Sequence, residues 1–242
     1  MTRFFILSSM LLCSFASSVF AEERGKLIFE DDFERNESQE IKDEIGKGWG
    51  TNSRWRAAGN KQVDLRNGAL YIFMHKVADH AVSVRHPAVF RDGSVELKFM
   101  LEHEKDSLGL NFADLKYKKV HAGHLFAAKV TTKYVELTDL KTGVMDLKTR
   151  ELRKAKKVPP ALQKILKTKK IRFPHKLKTG KWYTLLVNIT DDAMTVSIDG
   201  KKIGSFSSEG IAHPTKRLLR LSVPRNTVVD DVKIYSREAK SK

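Results

Sequence analysis

Between Lys181 and Phe206 apolar and polar side chains alternate with a period of two, broken by two short turns. Successive residues of a strand point to opposite faces. Tyr183, Leu185, Val187 and Ile189 therefore share one face, and Trp182, Thr184, Asn188 and Thr190 the other, with Leu186 as the apolar exception. After a turn at Asp191 and Asp192, Met194, Val196 and Ile198 alternate with Thr195, Ser197 and Asp199. Asp199-Gly200 then offers the positive-φ pair favoured in a two-residue hairpin, and a third strand follows through Ile203.

The same signal recurs along the chain. Leu27 to Phe33 opens the series, Gln62 to Met74 reads as a hairpin around Asn67-Gly68, and Val82 to Arg85 as a short strand. Alternation over Ser94 to Glu102 continues through Leu108, Leu110 and Phe112. Leu125 to Val130 and Tyr134 to Leu140 pair across Thr131 to Lys133, with Val144 to Leu147 as a further strand after the Lys141-Thr142-Gly143 turn. Leu219, Leu221 and Val223 form a late strand, and Val228 to Tyr235 closes the series. The pattern predicts an all-β fold, a single antiparallel β-sandwich over residues 22–237.

One segment departs from it. Residues 148–178 hold ten lysines and three arginines against the single acid Glu151, a local excess of twelve charges in a chain whose formal net charge is +16. Within this basic insertion Pro159-Pro160 suits a first helical turn, and Leu162, Ile165 and Leu166 share a side at helical spacing. A short amphipathic helix is expected over Pro160 to Thr168, with Lys164, Lys167 and Lys170 facing elsewhere.

The ends read as processing and tail. Arg3, the apolar run Phe4 to Ala16 and Val19-Phe20-Ala21 have the form of a signal peptide over residues 1–21. The mature chain is thus expected to begin near Glu22 and to be secreted or periplasmic, with no transmembrane segment after cleavage. Cys13, the only cysteine, falls in that segment, which excludes disulfides and cysteine chemistry from the mature chain. Residues 238–242 read as a polar tail.

Several short segments resemble the concanavalin A-like lectin and glucanase superfamily, including laminin-G-like domains. They are Phe29-Glu30-Asp31-Asp32-Phe33, Asn67-Gly68-Ala69-Leu70, Gly180-Lys181-Trp182-Tyr183, Ile198-Asp199-Gly200-Lys201 and Val229-Asp230-Asp231-Val232-Lys233-Ile234-Tyr235. Gly210-Ile211-Ala212-His213-Pro214-Thr215-Lys216 is further similar to exported bacterial proteins related to the 3-keto-disaccharide hydrolase domain group. The resemblance implies a jelly-roll sandwich concerned with carbohydrate, in a superfold that hosts enzymes, lectins and inert modules alike.

Candidate chemistry follows from residue type. Glycosidases need two carboxylates flanking the sugar bond. Laminarinase-like relatives carry them as Glu-x-Asp-x-x-Glu, and the nearest match, Glu102-His103-Glu104-Lys105-Asp106-Ser107, departs at the second acid and at Ser107. Glu102 and Glu104 are the catalytic candidates, with His121 and His124 as cleft residues. At strand spacing these two histidines would point to opposite faces, which speaks against a metal pair. His75, His80 and His86 are scattered around a loop, where they would line a cleft or the surface. No cofactor is expected. Asp31, Asp32, Asp230 and Asp231, from opening and closing strands, would suit a structural calcium ion or serve as turn residues.

Trp49 and Trp55, with Arg54 and Arg56 nearby, are candidates for stacking against sugar rings, or for core packing; Trp182 is expected inside. The lysines of the insertion, Lys154, Lys164, Lys167 and Lys170, suit a polyanion such as an acidic polysaccharide of the cell envelope or outside the cell, or else form a solvated loop. Nucleic acid is disfavoured by export and by the lack of a recognised motif. Carbohydrate binding through the sandwich's concave face is the leading expectation. A glycoside-cleaving enzyme and a structural envelope protein are the alternatives.

Overall fold

The computed structural model describes residues 24–237. The signal segment expected at 1–21, with Cys13, and the tail at 238–242 lie outside the described residues.

Two antiparallel sheets face one another. The larger has the order β12 (Lys201–Ser207), β11 (Ala193–Ile198), β10 (Trp182–Thr190), β5 (Asp92–Met100), β14 (Asn226–Arg237), β3 (Ala69–Phe73), β2 (Val63–Arg66), with β1 (Lys26–Asp31) also on β14. The smaller has the order β4 (Val82–Phe90), β13 (Lys216–Val223), β6 (Ser107–Ala113), β7 (His124–Thr131), β8 (Tyr134–Asp139), β9 (Lys170–Pro174). Three helices accompany them: α1 (Ser53–Arg56), α2 (Leu147–Lys154) and α3 (Pro160–Thr168).

Alternation becomes core in the expected way. Leu185, Val187 and Ile189 on β10 join Val95, Leu97 and Phe99 on β5, and they pack with Leu108, Leu110 and Phe112 on β6 and Ala128 and Val130 on β7. Burying one such large apolar side chain contributes about 1.5–3 kcal/mol, so the registry that turns these rows inward is strongly specified. Asn67-Gly68 and Asp199-Gly200 take positive φ at both residues and close the two hairpins.

The twelve-residue β14 serves two partners in succession, β3 along Asn226 to Val229 and β1 along Val232 to Ser236. Its pairing with β5 shifts register between Asp230 and Lys233, where Asp231 has φ 47°. Such a bulge re-aims the strand between its two partners.

Helix α3 spans the predicted residues. Elsewhere the insertion differs. No strand forms at Val144 to Leu147; α2 begins there, its N-cap Asp146 accepting from the Thr149 amide at 2.8 Å. After α3 the chain adds β9 to the sheet edge, pairing Glu136 with Arg172 and Thr138 with Lys170. Strand β4 runs to Phe90 rather than ending at Arg85. Trp182 is 39% exposed rather than interior, because it starts β10 on the face opposite Tyr183.

Candidate functional site

With Leu108, Leu110 and Phe112 turned inward, Gly109 and Asn111 must look outward, and the pairing registers extend this choice across the smaller sheet. One outward row runs Ser83, Ser222, Gly109, Lys129, Glu136, Arg172; the next runs Arg85, Arg220, Asn111, Ala127, Thr138, Lys170. The insertion folds over the β7–β9 end of this face. Between the sheet and Val144, Arg153, Val158, Leu166 and Lys167 lies a cleft of about 720 Å³.

Charge on this face is one-sided. Glu136 is the only carboxylate in the two rows, and Arg172 Nε binds it at 2.5 Å. Asp139 also borders the cleft but follows the inward pattern of β8. It accepts from Thr142 Oγ1, Ser208 Oγ and the Gly210 amide, tying the loop after β8 to the loop after β12. A Cβ at Gly210 would overlap Asp139, so this tie requires glycine there. Among the described residues Arg85, Arg220, Lys129, Lys170, Arg153 and Lys167 make no ion pair.

Burial, with repulsion from Arg85, lowers the pKa of Arg220 to about 10. Burial also lowers His124, to about 3, and Arg220 adds to it. Arg220 Nη1 lies 3.2 Å from His124 Nδ1. Asn111 Oδ1 lies 2.9 Å from the same nitrogen, so Nδ1 sits between the guanidinium and the side-chain amide.

Beside the cleft, sharing Val144 and Arg153 with it, is a second pocket of about 410 Å³. It is lined by His80, His121 and His124 and by Arg150, Arg153 and Lys154. Strand alternation predicted opposite faces for His121 and His124, but their rings stack at 6.3 Å. A 3-10 turn at His121–Gly123 precedes β7, and left-handed φ at Ala122 (49°) and Gly123 (70°) reverses the local direction of the chain. A Cβ on Gly123 would meet the Asp114 carbonyl at 2.5 Å.

The remaining sequence candidates separate clearly. Trp55 is 64% exposed, with the Arg85 guanidinium carbon 5.5 Å and that of Arg54 6.0 Å from its ring centroid, which places it at the β4 end of the charged face. Arg56 pairs with Asp79 at 3.2 Å. Lys154 lines the histidine pocket, Lys167 and Lys170 line the cleft, and Lys164 is exposed on α3 and lines neither. Thus Trp55 and the insertion lysines, about a hundred residues apart in sequence, border one face. Trp49 does not join them. It is buried against Phe29 and Phe33, and its Nε1 donates to Asp31 at 2.8 Å. Glu102 and Glu104 stand exposed on the turn between β5 and β6, off the charged face.

Asp31 and Asp230-Asp231 do come from paired strands, β1 and β14. Asp31 is engaged by both Nη atoms of Arg35 at 2.6 and 2.8 Å, by Trp49 and by Lys47. Burial would raise its pKa, but Arg35, the Phe33 amide and Trp49 hold it below the usual value. Asp32 is exposed, and Asp231 is paired with Lys98 at 2.5 Å. Among the described residues the one acidic trio close enough to share a cation is Glu37, Glu40 and Asp64. Lys61 Nζ already sits among them at 2.7–2.8 Å.

Signals for the charged face were present but scattered. Arg220 and Lys129 sit between apolar neighbours on alternating strands, and only sheet register shows that they face the same way as Arg85.

Solved structures with the same architecture decide the fold. The Bacillus licheniformis beta-glucanase is similar at TM-score 0.59 and 9% identity, over 88% of this chain and 99% of that one. A laminarinase from Rhodothermus marinus is similar at 0.58 and 12%, over 88% and 98%. The carbohydrate-binding module CBM66 from Bacillus subtilis is similar at 0.52 and 12%, over 78% and 96%. The chain has the concanavalin A-like jelly-roll fold. No protein-family model matches it, and no curated protein matches it in sequence. Within this concanavalin A-like frame the basic insertion roofs the outward face of the smaller sheet, and no helix among the described residues is long and apolar enough to cross a membrane.

Proposed function

We propose that the chain is an exported module that binds an acidic polysaccharide along the outward face of its smaller sheet. The carrying observation is charge: Arg85, Arg220, Lys129 and Lys170 line two adjacent rows whose only carboxylate, Glu136, is already paired with Arg172. Cations held close together without counter-ions raise the local concentration of anions. Trp55 adds an exposed apolar ring at the β4 end, suited to the C–H face of a sugar. The names of similar structures, a carbohydrate-binding module and glucanases, support a glycan ligand.

Cleavage of the 3-keto-disaccharide hydrolase or laminarinase kind is the less supported reading. Two carboxylates must flank the scissile bond, and the two rows offer one.

A binding panel of polygalacturonate, dextran sulfate and neutral dextran at low and high salt tests the proposal. The acidic chains should bind at low salt and weaken as salt rises, while neutral dextran binds poorly. Trp55→Ala and Lys167→Ala/Lys170→Ala should each reduce affinity by about fivefold, on the order of 1 kcal/mol. Equal affinity for neutral and acidic chains, or no response to salt, would refute it.

A further inference from the structure

The histidine pocket beside the cleft has a composition that selects among anions. His80 comes from the loop before β4, His124 from β7 with His121 just before it, and Arg150, Arg153 and Lys154 from α2. The spacing of Arg150, Arg153 and Lys154 puts all three on one face of that helix. The helix is locked over the histidine turn by the Asp146 cap, by the Val120–Asp146 bridge and by the His121 amide, which donates to the Met145 carbonyl at 2.8 Å. Position and charge are therefore built into the backbone.

Three histidines invite a metal reading, and their surroundings oppose it. Arg150 Nη2 approaches His121 Nε2 at 3.5 Å, and Arg220 Nη1 lies 3.2 Å from His124 Nδ1. A cation entering here would meet Arg150, Arg153 and Lys154, with no carboxylate among the described residues lining the pocket. An anion meets the two guanidiniums of Arg150 and Arg153 and the Lys154 ammonium.

Geometry narrows the anion. A carboxylate is satisfied by the flat fork of one guanidinium. A sulfate or phosphate ester spreads three terminal oxygens in a cone and calls for donors from several directions, which three separate side chains provide here. We infer that this pocket holds a tetrahedral oxyanion, a sulfate or phosphate ester carried by the polysaccharide in the adjoining cleft. The inference rests on the proposed polysaccharide binding and adds the class of substituent. Burial and the neighbouring cations Arg150 and Lys154 keep His121 below its ordinary pKa, consistent with a pocket whose positive field is uncompensated.

The test follows the histidine rings by NMR while inorganic sulfate, inorganic phosphate or sodium chloride is added at matched ionic strength. It is coupled to affinities for dextran sulfate, dextran phosphate and polygalacturonate. In the wild type, sulfate or phosphate should shift the His121 and His124 rings saturably and chloride should not; the oxyanion and ester bound more tightly identify the substituent. The Arg150→Gln/His121→Gln variant should lose about tenfold for that esterified dextran and less than about twofold for polygalacturonate. Its far-UV circular dichroism and melting temperature establish that it folds. Absence of saturable shifts in the wild type overturns the inference and leaves polysaccharide binding standing, as does equal weakening of all three polymers. Saturable shifts in a wild type that binds none of them overturn the proposed function instead, and with it the polymer-borne ester, leaving an oxyanion site.

Discussion

Arg85 and Arg220 stand directly opposite one another on β4 and β13, two guanidiniums in register with no carboxylate among the described residues paired to either. Like charges facing across a sheet are destabilising. Burial, and after it repulsion from Arg85, lowers the pKa of Arg220. Arg85 recovers part of the cost by lying over Trp55, and Arg220 by donating to the Ala122 carbonyl at 2.7 Å.

Arg85→Gln separates binding from stability. Relief of repulsion and loss of the ring contact are each about 0.5–1 kcal/mol and opposite in sign, so urea unfolding should change by less than about 0.5 kcal/mol. Affinity for polygalacturonate should nevertheless fall at low salt, with a shallower salt dependence.

Lys216 gives a pH signature. It is fully buried, its Nζ donates to the Arg91 carbonyl, and burial lowers its pKa from 10.5 to about 8. Below about pH 8 both folded and unfolded chains hold the proton and the cost of the buried charge is fully present. Between about 8 and 10.5 the native state releases it first, so this residue's contribution to stability rises with pH. Urea unfolding at pH 7 and pH 10 should show a smaller rise in Lys216→Met than in the wild type.

Asp31→Asn should cost about 3 kcal/mol, because it leaves Arg35 without its buried counter-charge and weakens the anchor of Trp49. The native carboxylate has a lowered pKa, so its stabilisation is present above the unfolded value of 3.8 and is lost as pH falls through the folded one. Trp fluorescence during urea unfolding at pH 7 and pH 3 checks both points: the gap between wild type and variant should narrow at the lower pH.

Much of this fold could be read directly. The β10–β11 hairpin, the Asn67-Gly68 turn and the bounds of α3 follow from alternation, positive-φ pairs and a proline start. Helix α2 carries little periodic signal because Leu147 and Leu152 are its only large apolar residues, too few for a stripe; Asp146, three residues before the Thr149 amide it caps, is the one mark of its start. Strand β9 is legible in the alternation of Ile171 and Phe173 with Lys170 and Arg172, a signal only five residues long inside a segment dominated by charge. The charged face could not be read, since Arg85, Lys129 and Arg220 meet only through the registers of β4, β13, β6 and β7. The histidine pocket was hidden by Ala122, whose left-handed backbone no residue preference announced.

The most direct test of the central claim is amide hydrogen exchange with and without saturating polygalacturonate. Protection confined to the smaller sheet, β4, β13, β6, β7, β8 and β9, with α2, α3 and the Trp55 segment, is the predicted result. Protection on the larger sheet around Trp182, with the smaller sheet and the insertion unchanged, would contradict it.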